Sequence, residues 1–360
     1  MKKIKRSMIQ ERNGICYEVN QEVPFTGAIV EFYDDGQREL SVQYKNGKRD
    51  GLCISYYRNG KIKEKGQYKN GTKEGELIIY YKNGQIKVKE QYKEGKEEGD
   101  YIEYDEKGNL RIKGHYKKGK KDGEFIAYYQ NGQIKLIAQW KDGGPDGEWQ
   151  TYHENGKIKE KGQLKDNMLD GDYILYHENG QIKVKEQYKE GKEEGDYIEY
   201  DAKGNLLIKG QYKEGKEEGD YIEYYKNGQI QIQRHYKKGK KDGEFIAYYK
   251  NGQIQIQRQY KEGKEEGAAT EYYRNGQIKG KAQWKDGSPD GEWLKYHENG
   301  KIKEKGQHKD GKLNGELIVY YENGQIKVRG QYKDGKEDGE WVGYYENGQI
   351  KTKKHEVRKF

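Results

Sequence analysis

The sequence predicts an all-β protein: an elongated, twisted antiparallel sheet of about fourteen 24-residue β-hairpin repeats, forming an open, solenoid-like array. Three observations predict it. Turn glycines recur from Gly36, Gly60 and Gly84 to Gly348, fourteen positions spaced by 24 residues without an insertion. A fixed period of this length is the mark of a repeat array. Most of these glycines follow Asn, and Asn-Gly between apolar runs is a strong hairpin signal. The flanking runs are rich in Ile, Val and Tyr, the second of them alternates apolar with polar residues, and no helical period survives.

Residues 1–23 are a lead-in, residues 24–355 the array and residues 356–360 a charged tail. Each repeat opens with a six-residue strand, as in Glu76 to Tyr81, and closes with a strand of about eight, as in Gln85 to Tyr92. A Gly-marked loop leads to the next copy. Its two glycines, as at Gly95 and Gly99, and Asn167 in place of one of them, fit backbone positions with φ > 0. A two-residue turn would pair Lys82 with Gln85; a three-residue turn with a bulge would pair Tyr81 with Gln85. Register decides which side chains share a face. Apolar consistency favours the three-residue turn and places Ile78, Tyr80, Ile86, Val88 and Tyr92 together. The opposite face then carries first-strand aromatics, from Tyr101 and Phe125 to Trp341, between lysines such as Lys65, Lys87 and Lys89.

Composition agrees with a thin sheet. Hydrophobic residues are 31% and charged residues 37%, against about 45–50% and 25% in ordinary domains. Such values often mean disorder, but 36 Tyr and only three Pro oppose that reading, because Tyr suits half-exposed faces. The net charge of +8 comes from finely interleaved signs, so nucleic-acid binding, which needs a segregated basic face, is not expected. Cys16 and Cys53 have neither metal nor redox spacing. The basic start lacks a following apolar run, so a cytoplasmic location is expected. Nothing approaches the ~20 apolar residues of a membrane span.

The residues give no catalytic constellation. His153, His177 and His297 stand in phase with Tyr57 and Tyr81 and read as tyrosine replacements. Carboxylate pairs such as Glu97–Glu98 and Glu193–Glu194 recur from loop to loop and read as solvating charges, whereas an acid/base pair would occur once. No catalytic, metal or cofactor-binding residue is expected, and no cofactor.

The pattern G-x-aromatic-x-x-Y-[YH]-x-N-G-[QK]-I-K-x-K-G-x-Y-K-x-G-K-x-x-G, shown by Gly147 to Gly171 with Leu164 and Asn167 as departures, resembles the MORN-type repeat in its bacterial variant form. Pro24-Phe25-Thr26-Gly27 is similar to the opening of the YwqK-family antitoxins. The resemblance covers roughly residues 24–355 and implies a sheet of stacked hairpins.

The expected function follows from a surface. It is a non-enzymatic scaffold that binds another protein, a toxin or other effector, through its sheet face. The alternatives are an envelope or host-facing rod and a membrane-surface binder using lysine rows. Candidate partner-binding residues are Trp149, Trp293, Trp341, Phe125 and Phe245, since aromatics anchor interfaces. Arg234 and Arg258 join them, because they replace the Gly or Ala of other repeats (Gly66, Ala138, Gly162).

Overall fold

The computed structural model describes residues 2–356. The chain divides into two compact units, residues 1–180 and 181–360. Both consist of antiparallel hairpins at the 24-residue period, in an open, all-β arrangement.

The first unit begins with a cap. Lys3–Lys5 runs parallel to the first repeat strand, Gly27–Phe32, with Ile4 opposite Ile29. The hairpin of Ile9–Arg12 and Ile15–Glu18 follows. Ile4, Cys16, Phe25, Ile29, Val42 and Tyr44 close into a buried cluster, so the lead-in covers an edge that would otherwise expose unpaired backbone. Cys16 and Cys53 are free thiols.

Past the cap, one hairpin serves for all. In Thr72–Tyr80 and Ile86–Lys93, the Tyr81 N–H donates to the Gln85 carbonyl at 2.8 Å. The three-residue turn is therefore the one formed. The Asn83 side chain accepts the Gln85 N–H at 2.9 Å, and Gly84 takes φ +88°.

The expected faces are not formed. Tyr80 pairs with Ile86, but Ile79 pairs with Val88, so Lys87 is an extra residue in a bulge. One extra residue reverses every side chain beyond it. Tyr92 thus lies opposite Gly75 and shares its face with Leu77, Ile79, Val88 and the position of Glu90. Ile78, Tyr80, Ile86, Lys89 and Gln91 lie on the other face. The first-strand aromatics and the second-strand tyrosines form one set, and the lysines at Lys65 and Lys89 lie opposite them, across from Ile54 and Ile78.

The Gly-marked loop is also a hairpin. Lys93 pairs with Lys96, and Glu94 and Gly95 have φ +52° and +81°, the two positive values of a type I′ turn. The first strand therefore starts earlier than expected, at Lys96 in Lys96–Tyr104, and passes a second bulge at Gly99, φ +120°. Adjacent I′ turns are joined: the Gly95 N–H donates to the Lys73 carbonyl at 3.0 Å.

The second unit repeats these devices from Ile182–Lys189 to Ile350–Glu356. In its last strand, Lys353 pairs with Glu340 at 3.2 Å and Lys354 with Glu337 at 3.7 Å, a charged edge of the kind that resists further strand pairing. Residues 357–360 of the expected tail lie outside the described residues.

Candidate binding face and a gap in its aromatic row

Rings on the aromatic face alternate between the two strands of successive hairpins. In the first unit Tyr101, Tyr116, Phe125 and Trp140 follow one another at centroid distances of 5.5, 5.6 and 5.9 Å. These edge-to-face and tilted spacings are favourable for aromatic pairs. In the second unit the pairs are Tyr197–Tyr212, Tyr221–Tyr236 and Phe245–Tyr260, at 5.8, 5.9 and 6.0 Å.

The rings need small neighbours. A Cβ on Gly114 would strike Phe125, and one on Gly210 would stand 2.5 Å from Tyr221 Cδ2. Trp149 lies over Gly162, Trp293 over Gly306 and Trp341 over Gly330. These glycines have no positive φ; close approach of a ring explains them.

The candidate residues therefore all lie on this face. Phe125 is only 6% exposed and is a packing contact in the row, not a free anchor. Trp149, Trp293, Trp341 and Phe245 are half-buried. Trp293 and Trp341 sit 5.9 Å from His308 and 5.3 Å from Tyr332. Lysines do cover the rings, but from the start of the first strand: Lys121 is 4.9 Å from the Phe125 centroid and 4.3 Å from that of Trp140. Lys241 covers Phe245 and Tyr260 in the same way, at 5.3 and 5.1 Å.

Arg234 and Arg258 do not stand on a face with Tyr80 and Ile86, as the register reading required. Arg234 lies 4.8 Å from the Tyr221 ring centroid and pairs with Glu223. Arg258 pairs with Glu265 and stands 3.8 Å from Glu271. Burial opposes the charged form of Arg258, but the bond to Glu265 leaves its pKa raised.

Two functions of repeated residues escaped the sequence reading. Tyrosines before the Asn-Gly turns donate their hydroxyls to the next repeat: Tyr81 to the Tyr104 carbonyl at 2.8 Å, Tyr273 to that of Tyr296 at 2.7 Å. His297 does stand in for tyrosine there, with Nε2 3.3 Å from the Tyr320 carbonyl. The second carboxylate of each loop pair is also structural rather than merely solvating. Glu98 accepts the Lys118 N–H at 2.7 Å, and Glu194 that of Glu214 at 2.8 Å.

The row has a gap in the second unit. In the hairpin of Gly267–Tyr272 and Ile278–Lys285, Ala269 stands where the hairpins before and after it place Phe245 and Trp293. Gly280 stands where Ile232 and Ile256 do in earlier copies. The result is a mostly apolar cleft of about 240 Å³. Ala269, Gly280, Ala282, Trp284, Trp293 and Arg258 are among the residues that line it. A first-unit cleft of about 310 Å³ beside Trp149 is polar, with Glu124, Glu148, Asp172 and Lys161 in its lining. Among the described residues no cluster of His, Cys, Asp or Glu could hold a metal ion, and no helix is long and apolar enough to cross a membrane.

The family model described as the MORN repeat variant matches thirteen successive stretches, from residues 49–70 to 337–355. The first hairpin, Gly27–Phe32 with Arg38–Lys45, precedes these matches but has the same pairing and turn. No curated protein matches the chain. Among solved crystal structures, the chain is similar to TcdB2-TccC3, at 12% identity and a TM-score of 0.17, over 91% of this chain and 18% of that one. For TcdB2-TccC3-Cdc42 the identity is 12% and the TM-score 0.15, over 92% of this chain and 23% of that one. A likeness this weak assigns neither a fold nor a role.

Proposed function

The chain belongs to the MORN repeat variant family, and from that premise we propose that it is a non-enzymatic scaffold that binds another protein through its aromatic face. One observation carries this reading: each unit holds, on one of its faces, a row of mostly half-buried aromatic rings interspersed with Lys and Arg. Aromatic and Arg side chains are the residues in which binding energy concentrates. The finer form of the proposal, a toxin held by an antitoxin or immunity protein, rests on the likeness at Pro24 to Gly27.

The test is recovery of a complex from native lysate, followed by mixing of the purified components. Arg258→Glu on the aromatic face is expected to weaken the complex at least about tenfold, the range of an interfacial charge reversal. Lys89→Glu on the opposite face is expected to leave it intact. Equal effects from the two variants would remove the aromatic face as the binding surface.

A further inference from the structure

The gap at Ala269 has the outline of a side chain that other copies supply for themselves. Ala269 pairs with Ala282 in the register that joins Tyr197 to Gly210. A ring placed there would lie over Ala282, as Trp293 lies over Gly306, and beside Trp284, which holds the ladder position of Tyr212. The missing ring is further specified by a carboxylate. Tyr101 donates its hydroxyl to Glu103 at 3.0 Å, and Tyr197 to Glu199 at 3.0 Å. In each case the acceptor lies two residues after the ring. Glu271 lies two residues after Ala269, on the lining of the cleft, with a side chain 43% exposed. An acceptor placed like those of Tyr101 and Tyr197 is thus present here without a phenol.

We propose that this cleft is the seat of a tyrosine side chain of the protein partner, its ring over Ala282 against Trp284 and Trp293 and its hydroxyl donating to Glu271. Three features select that occupant. The cleft of about 240 Å³ is below the ~300–1,000 Å³ of sites that enclose drug-sized ligands, and suits one side chain. Its lining is mainly apolar, which favours a ring over a charged group. Glu271 rewards a hydroxyl donor over a plain phenyl ring, since a site built to accept a hydrogen bond discriminates against a group that lacks the donor. Lys279 and Arg258, 3.6 and 3.8 Å from Glu271, flank that carboxylate and favour its ionised, accepting form. The proposal rests on the scaffold reading for the source of the ring.

The probe is p-cresol, the isolated tyrosine side chain, titrated into the full chain by calorimetry, with its methyl ether as the compound lacking the donor. Millimolar binding of p-cresol and several-fold weaker binding of the ether are expected. Ala269→Tyr supplies the ring in cis; it should melt at or above the parent temperature and weaken p-cresol binding at least about tenfold. Glu271→Leu, which has no acceptor and lies at a partly exposed position, should fold normally and erase the preference for p-cresol over the ether. Absence of p-cresol binding to the parent, or unchanged binding to Ala269→Tyr, would overturn the seat. Partner capture that persists under those results leaves the scaffold reading standing without it. If p-cresol binds as expected but Ala269→Tyr holds the partner as tightly as the parent, the ring is not the partner's, and the proposal is overturned in favour of a free phenolic ligand.

Discussion

Two hairpins of the second unit, Gly195–Tyr200 with Leu206–Lys213 and Gly267–Tyr272 with Ile278–Lys285, share every strand pairing, yet Ala269 of the second stands where the first has Tyr197. The first has Tyr197 packed 5.8 Å from Tyr212. The second has Ala269 and an open cleft. Their I′ turns are held alike: the Gly215 N–H bonds the Glu193 carbonyl at 2.9 Å, and the Gly287 N–H bonds that of Glu265 at 2.9 Å. The ring is thus not what fixes the backbone. Turn bonds and bulges set the register, and the aromatic face is a layer laid on it that one copy can omit without changing the hairpin.

The comparison breaks most readily at the ring that is present. Tyr197→Ala is expected to cost about 2–3 kcal/mol, below the ~3–5 kcal/mol of a fully buried aromatic, because Tyr197 is only half-buried. Urea denaturation measures it; a loss under about 0.5 kcal/mol, the size of an ordinary surface change, would show that the row contributes nothing to stability.

A smaller contrast concerns space. Gly210→Ala places a methyl 2.5 Å from Tyr221 Cδ2, and overpacking of this kind costs about 1–3 kcal/mol. Gly280→Ala, beside the gap, would meet only the Leu294 carbonyl at 3.4 Å and should stay within about 0.5 kcal/mol of the parent. Equal losses in thermal melts would mean that the cleft is closed in solution.

The smallest effect lies in the turns. Tyr273 bonds across to the next repeat in one hairpin, whereas Asp201 occupies that place in the other. The Asn205 side chain, then its N–H, donate to Asp201 and hold its carboxyl below the usual range. A lowered folded pKa stabilises the fold above the unfolded value of about 3.9, and that contribution fades as pH falls through the lower folded value. Asp201→Asn should flatten stability against pH below about 4 and lower it modestly in the neutral range, where the ionised Asp201 contributes. An identical acid profile in parent and variant would contradict it.

Much of this was legible in the sequence. Asn-Gly at fixed spacing marked the hairpin, and apolar consistency chose the Tyr81–Gln85 pairing that the structure shows. The face assignment failed at one residue. Lys87 is an ordinary lysine, and a bulge needs no special residue there, so nothing local announced the reversal. A more distant signal existed: Gly66, Gly114 and Gly210 each lie beside Leu77, Phe125 or Tyr221, a small residue beneath a large one. The I′ turns were written more openly, since Asn46-Gly47, Asn70-Gly71 and Asp142-Gly143 are favoured dipeptides for that turn. Reading each as part of a loop concealed the hairpin. The seat at Ala269 was visible as a missing aromatic, but the role of Glu271 required the Tyr197–Glu199 bond to be seen first.

The bonds that join neighbouring copies span constant distances in the chain. A turn tyrosine reaches 23 residues ahead, and a loop carboxylate is reached from 20 residues ahead, whichever copy is considered. Such bonds recognise phase rather than identity. Recombination between two copies at matching positions therefore regenerates every one of them, whereas a crossover displaced by a single residue would sever them at the joint. Gln85 to Asp105 and Gln181 to Asp201 carry the same 21 letters four periods apart, as expected of a gene that can lengthen or shorten in whole periods while its product stays foldable.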